Sequence, residues 1–233
     1  LDDLRLGLSN KNYIEKITVD STASTRQKKQ EGNYFDSFIG LDLNYDKRNQ
    51  RFQTTSGFYS NYSLELPVLS ETNTITNSYR YKIFKELYEN NVSTFSLLLQ
   101  SSNSLTGDDI KLSERLYIPG KRLRGFERGK VGPKDQDDFI GGNYITTINA
   151  TSTVPKILEN IQNVDLVMFA DIGNIWGVDY DDSLDNNEIR SSVGVGLDWL
   201  TPVGPLSFSF AHPISKQDTD ITETFRFNIG TTF

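Results

Sequence analysis

Hydrophobic residues recur at every second position along most of this chain. A period of 2 marks strands with one apolar and one polar face. Leu4, Leu6 and Leu8 alternate with Arg5, Gly7 and Ser9, and Ile39, Leu41, Leu43 and Tyr45 with Gly40, Asp42 and Asn44. Phe58, Tyr62, Leu64 and Leu66 share one parity, while Tyr79, Tyr81 and Ile83 face away from Arg80 and Lys82. Val193, Val195, Leu197 and Trp199 oppose Gly194, Gly196 and Asp198, and Leu206, Phe208 and Phe210 oppose Ser207, Ser209 and Ala211. The pattern predicts about ten antiparallel strands, near 3–9, 34–47, 56–67, 78–89, 91–102, 140–154, 162–176, 189–201, 204–212 and 221–233. Turns are expected at Asn90-Asn91 and at Pro202-Val203-Gly204-Pro205. No helix is secure. Residues 79–89 also fit a helical spacing but sit among strands, and 155–162 admit at most one turn after Pro155.

A chain of this kind must bury or pair its sheet edges, and two architectures do so. A soluble sandwich stacks its apolar faces on each other, whereas a transmembrane β-barrel turns them to lipid around a polar lumen. Three features favour the barrel: charged or glycine residues on the polar parity, strands of nine or more residues, and aromatics near strand ends (Tyr45, Tyr62, Trp176, Trp199, Phe233). No run of 18 apolar residues exists, so no transmembrane helix is expected, a fact that leaves barrels untouched. The start at Leu1, with no initiator Met or signal peptide, reads as a processed product or a fragment. Three connections stand out. Residues 103–139 are long, polar and Gly-rich; 177–188 are Asp-rich and read as a solvated loop; 20–32 are Ser/Thr/Lys/Gln-rich and read as mobile.

Several chemistries are excluded or unsupported. With no Cys there is neither a disulfide scaffold nor a thiolate site, and the lone His212 cannot make a zinc centre. Asp179, Asp181, Asp182 and Asp185 lack the glycine and terminal glutamate of a helix-loop-helix calcium site. No nucleophile elbow, phosphate loop or HExxH motif occurs, so no catalytic residue, metal or cofactor is expected. The net charge of −7 comes without a basic helix or aromatic-basic motif, so nucleic acid is not an expected partner.

Two stretches carry a sharper possibility. Lys121-Arg122-Leu123-Arg124-Gly125-Phe126 lies within the long connection. If that connection returns to the polar face, Arg124 needs a carboxylate, because an unpaired desolvated guanidinium is costly. Asp171 shares parity with Asp165, Val167 and Phe169, opposite Leu166, Met168 and Ala170, and so should point inward. Spacing alone leaves open a plain solvated loop and an Asp that caps a strand end. At the C-terminus, Phe225, Phe227, Ile229 and Phe233 form an aromatic stripe on the last strand.

These segments, in order, resemble the membrane barrel of the Omp85 superfamily. Leu123-Arg124-Gly125-Phe126 is similar to its VRGF/Y loop motif, with Leu for Val, and is followed by Val131-Gly132-Pro133 and Gly141-Gly142-Asn143. Phe169-Ala170-Asp171-Ile172-Gly173 with Trp176 resembles the family's inward-Asp strand. Thr201-Pro202-Val203-Gly204-Pro205-Leu206 resembles an SPxGPL turn, and Phe225-Arg226-Phe227-Asn228-Ile229-Gly230 the closing strand. Tyr45-Asp46-Lys47-Arg48-Asn49 and Thr55-Ser56-Gly57 resemble a further strand and turn, with Asn49 and Thr54 as departures.

The resemblance implies an all-β antiparallel barrel, of which this chain is about the last ten of sixteen strands. Residues 103–139 would contain extracellular loop six, folded back into the lumen, with Arg124, Gly125 and Phe126 as its anchor and Asp171 as the inward partner. Thr151 stands where many members carry an inward glutamate, and the glycine pair before the motif is reduced to Gly120. The implied activity is non-enzymatic assembly and insertion of outer-membrane proteins, with Phe225, Phe227, Ile229, Gly230 and Phe233 on one edge of a lateral gate. Implied partners are nascent outer-membrane proteins, outer-membrane lipids and lipopolysaccharide, and the accessory lipoproteins of the assembly machine, reached through POTRA domains outside this chain. Alternatives are a sister member such as a TamA-like protein or a two-partner secretion transporter and, from other classes, a passive porin or a soluble β-sandwich binding module.

Overall fold

The structure, a computed structural model, describes residues 3–51, 53–71, 73–89, 91–154, 163–185, 187–202 and 204–229. Its strands are β1 (Leu4–Ile17), β2 (Gly32–Asp46), β3 (Gly57–Ser70), β4 (Thr74–Tyr88), β5 (Asn91–Ser104), β6 (Lys134–Asp135), β7 (Asp138–Phe139), β8 (Tyr144–Thr153), β9 (Val164–Trp176), β10 (Arg190–Thr201), β11 (Gly204–Ser215) and β12 (Phe225–Ile229). Ten of them form one antiparallel sheet in the order β1-β2-β3-β4-β5-β8-β9-β10-β11-β12, and β6-β7 is a small ladder inside the long connection. Each long strand pairs with its sequence neighbour, as hairpin connections require.

The alternation sets which side chains share a face. Leu166, Met168 and Ile172 of β9 are exposed while Val167, Phe169 and Asp171 are buried. The exposed apolar face continues through Leu4, Leu6 and Leu8 of β1, Val193 and Val195 of β10, and Phe225, Phe227 and Ile229 of β12. Among the described residues no second sheet is stacked on it, as one would be in a sandwich. Residues of the 105–143 connection cover part of the opposite face, and there the inward positions Leu98, Ile145, Thr147, Asn149 and Ser192 are buried. Among the described residues β1 pairs only with β2, and β12 only with β11.

Several expectations are corrected. β1 runs on to Ile17 rather than ending near residue 9, because Asn10 and Asn12 take outward positions opposite Ile39 and Ser37 and hide the continuing ladder. Residues 74–88 are strand throughout, as expected from the strands around them, and the competing helical spacing carries no helix. The segment 20–32 is not a loose tether: it holds a one-turn helix α1 (Thr25–Lys28), capped where Gln27 N donates to Ser24 Oγ at 3.2 Å, with Ala23, Ser24 and Gln27 buried. Arg26 pairs with Asp109, and Leu112 N donates to Gln30 Oε1 at 2.8 Å, which ties this segment to the long connection. Nor is 177–188 uniformly solvated: Asp179 accepts from Ile110 N at 2.6 Å and pairs with the buried side chain of Arg115. Asn90, Val203, the turn over 155–162, and Gly230 and Phe233 of the terminal stripe lie outside the described residues.

The connections 18–31, 105–143, 177–189 and 216–224 all leave from one rim of the sheet, and their mutual contacts build a cap there. Its centre is Lys111, whose buried ammonium pairs with the buried Asp36 of β2, with Glu15 of β1 at 3.1 Å and with Glu114 at 3.5 Å.

Candidate functional site

The connection crosses the covered face of the sheet as an ordered path. After the single 3-10 turn Gly120–Arg122, the chain extends at Leu123 and reverses at Gly125, whose φ of +90° is a conformation that suits glycine. A Cβ at this position would stand 3.2 Å from the Cβ of Ala211 and 3.3 Å from that of Ser192, so the backbone lies directly on β10 and β11.

This turn aims Arg124 at β9. Its Nε donates to Asp171 Oδ2 at 2.7 Å, its Nη2 to Oδ1 at 2.7 Å, and its backbone N to Oδ2 at 3.0 Å. The planar fork thus meets a carboxylate that is fully buried. The guanidinium carbon lies 3.4 Å from the centre of the Phe169 ring, which adds a cation–π contact. Phe169 in turn fits against Gly194 of β10, where any Cβ would collide with the ring. Asn149 of β8 uses one amide nitrogen to donate to Asp171 Oδ1 and to the Arg122 carbonyl, each at 2.8 Å, and Ser192 Oγ donates to the Arg124 carbonyl. Thr151 Oγ1 stands 3.5 Å from Arg124 Nη2, the outer limit of a hydrogen bond.

Phe126 is 1% exposed and packs with Leu123, Ile118 and Val131 of the connection against Leu98, Ile145 and Ile175 of the wall. Burying a Phe this completely stabilises by about 1.5–3 kcal/mol. The structure therefore brings Arg124, Gly125, Phe126 and Asp171 together. Phe225, Phe227 and Ile229 lie on the exposed face of β12, away from this cluster.

The motif also has a backbone partner. Glu127 N donates to the Ile221 carbonyl at 2.8 Å, Ile221 N to that of Lys130 at 3.0 Å, and Glu223 N to that of Gly125 at 3.0 Å, with Phe126 bridged to Thr222. The stretch 125–130 is thereby bridged by backbone hydrogen bonds to 221–223, immediately before β12. Below it, Arg190 and Asp220, both fully buried, pair at 3.0 and 3.2 Å, and Gln217 N donates to Asp220 Oδ2 at 2.8 Å.

Sequence reasoning missed Asn149, Arg190, Asp220 and Arg226. Three of them carry a usable signal: Asn149, Arg190 and Arg226 occupy the inward parity of their strands, where a polar or charged side chain needs a partner. Asp220 lies in a connection, where no period exists. Among the described residues no group of three or more His, Asp or Glu is arranged to hold a metal ion.

The Omp85 superfamily domain matches residues 4–233, and the chain belongs to that superfamily. It is 32% identical to the outer membrane protein assembly factor BamA of Neisseria meningitidis serogroup B over 174 residues, 60% of this chain and 22% of that protein. It is 25% identical to the BamA of Neorickettsia risticii over 240 residues, 100% of this chain and 32% of that protein. The 50 kDa subunit of the Saccharomyces cerevisiae sorting assembly machinery is 24% identical over 88% of this chain and 44% of its own length. The fold matches the crystal structure of BamA from Haemophilus ducreyi lacking POTRA domains 1–3, with a TM-score of 0.87 over 97% of this chain and 51% of that one, at 24% identity. The chain thus spans about a fifth to a third of the length of the BamA relatives it matches.

Proposed function

We propose that this chain forms the C-terminal wall of an outer-membrane barrel that assembles and inserts other barrel proteins without enzymatic chemistry. The ten strands would be the last ten of sixteen, the remainder supplied by sequence outside the chain. The apolar face would meet the hydrocarbon of the bacterial outer membrane, and the rim carrying the 105–143 connection would be extracellular, as long loops are in such barrels. Residues 103–139 would then be loop six, returned to the lumen and anchored by Arg124, Gly125 and Phe126 on Asp171.

The observation that carries this reading is the double docking of the connection, on Asp171 of β9 and on residues 221–223 before the terminal strand. Where the pairing of the terminal strand with the barrel's first strand opens, its edge would accept another strand through backbone hydrogen bonds, whatever the sequence. Such an edge, bearing Phe225, Phe227, Ile229, Gly230 and Phe233, would template an incoming strand and release it sideways into lipid, driven by the need to satisfy every backbone group within the bilayer. A connection packed across part of the inner face argues against a passive pore. The relatives named as assembly factors and as a sorting subunit favour assembly over secretion of a single cargo. Nascent outer-membrane proteins, membrane lipid and lipopolysaccharide, and accessory lipoproteins bound through POTRA domains are the partners this role requires.

The test is complementation of a strain depleted of the intact parent protein. Restored levels of other outer-membrane barrels by the wild type, and reduced levels with Arg124→Ala, support assembly. Normal barrel levels on depletion, with lost solute flux, would replace it with a pore.

A further inference from the structure

Arg226 is the inward-facing arginine of β12, between the outward Phe225 and Phe227. It does not point into open space. Its Nε donates to Glu223 Oε2 at 2.7 Å, its Nη2 donates to the carbonyl of Phe126 at 2.5 Å, and its Nη1 donates to the carbonyl of Gly120. Both carbonyls belong to the connection and flank Arg124. The guanidinium lies close over the connection: a Cβ on Gly120 would come within 2.7 Å of Arg226 Nη1 and oblige it to shift. Glu223 orients the fork from within the same segment, and the backbone ladder between 125–130 and 221–223 sets its height.

The Arg226 fork fixes the inward face of β12 through three hydrogen bonds. Two of its hydrogen bonds go to carbonyls that move only if the connection moves.

We infer that Arg226 is a positioning residue that latches the terminal strand to the connection, so that release of β12 toward an incoming strand and release of residues 119–130 from the wall occur together. The inference rests on the proposed function for its consequence, since the latch matters to assembly only if β12 is a gate edge. It extends that function by naming what holds the edge closed from inside. Lysine at this position would keep the charge but reach one carbonyl at a time, and alanine would leave both carbonyls and Glu223 without their donor.

The test uses the intact parent protein in lipid vesicles without substrate, followed by amide hydrogen exchange, and then the rate at which it assembles a model barrel substrate. Arg226→Ala is expected to speed exchange about tenfold at Glu127, Ile221 and Glu223 and in β12, the effect of losing charge-assisted hydrogen bonds. Arg226→Lys is expected to restore part of that protection. Asp171→Asn, which frees the other anchor of the connection, is expected to speed exchange in β12 as well, and both alanine and asparagine variants to change the assembly rate. Unchanged exchange in β12 in Asp171→Asn, or in both segments in Arg226→Ala, overturns the latch. Coupled exchange with an unaltered assembly rate overturns its role at the gate. A wild-type protein that assembles nothing overturns the proposed function, and the exchange data then decide the latch alone.

Discussion

Arg124 and Asp171 carry opposite charges into a place with little water, and their geometry offsets that cost: two side-chain hydrogen bonds, a third from the backbone, and an aromatic ring beneath. Arg124→Ala leaves Asp171 buried with only Asn149 and the backbone N of residue 124 as donors, and no positive charge beside it. Removing one partner of such a pair costs about 3–5 kcal/mol, so the variant is expected to lose protease protection across 103–139, measured by digestion of the membrane-embedded protein. Gly125→Ala strains a left-handed backbone and crowds Ala211 and Ser192, and is expected to loosen the same loop by about 1 kcal/mol or more while leaving the ion pair in place. Lys111 behaves differently. Burial opposes its charge, but the hydrogen bond to Asp36 and the nearby Glu114 and Glu15 outweigh burial and push its pKa above the ordinary lysine range. A raised folded-state value means the cap gains from this charge at all pH below the unfolded lysine value and loses the gain only as pH climbs through the folded one. Protection of residues 105–116 is therefore expected to be flat from mildly acid to mildly alkaline pH, and to fall only in strong alkali.

Strands were the most legible elements because alternation is local: each strand declares its faces without reference to its neighbours. The same logic placed Asp171 inward and Leu166 and Met168 outward, as the burial of β9 bears out. Legibility failed where contacts join distant segments without a period. Nothing near α1 announces that Arg26 meets Asp109 or that Gln30 meets Leu112, and the Asp-rich run gives no hint that Asp179 is held by Arg115. β1 was cut short for the opposite reason, since polar residues take over its outward face beyond Leu8. The β11–β12 pairing rests on two aromatic contacts, Phe208 with Phe227 at 4.8 Å and Phe210 with Phe225 at 4.9 Å. Phe227→Ala is expected to weaken this ladder by about 0.5–1.5 kcal/mol beyond the lost area, seen as a lower level of membrane-inserted protein and faster exchange in β12.

Taken as one body, the sheet turns a largely apolar surface outward and packs its own longest connection across part of the other side. The two tryptophans sit near opposite rims of the exposed face, Trp176 at the end of β9 beside the cap and Trp199 two residues before the end of β10. That is where aromatic girdles of a membrane barrel stand. Membership of the Omp85 superfamily and the shared fold agree with this orientation. The chain has no cysteine, so each one introduced is unique within it. Single cysteines at Leu166, Met168 and Ile172, and at Val167, Phe169 and Thr147, can be labelled with a polarity-sensitive fluorophore in the intact protein in bilayers carrying a quencher in the acyl region. Quenching at the first three and none at the second three is the expected result. Quenching absent from all six, with the first three reactive toward a water-soluble reagent, would mean that the apolar face does not meet lipid.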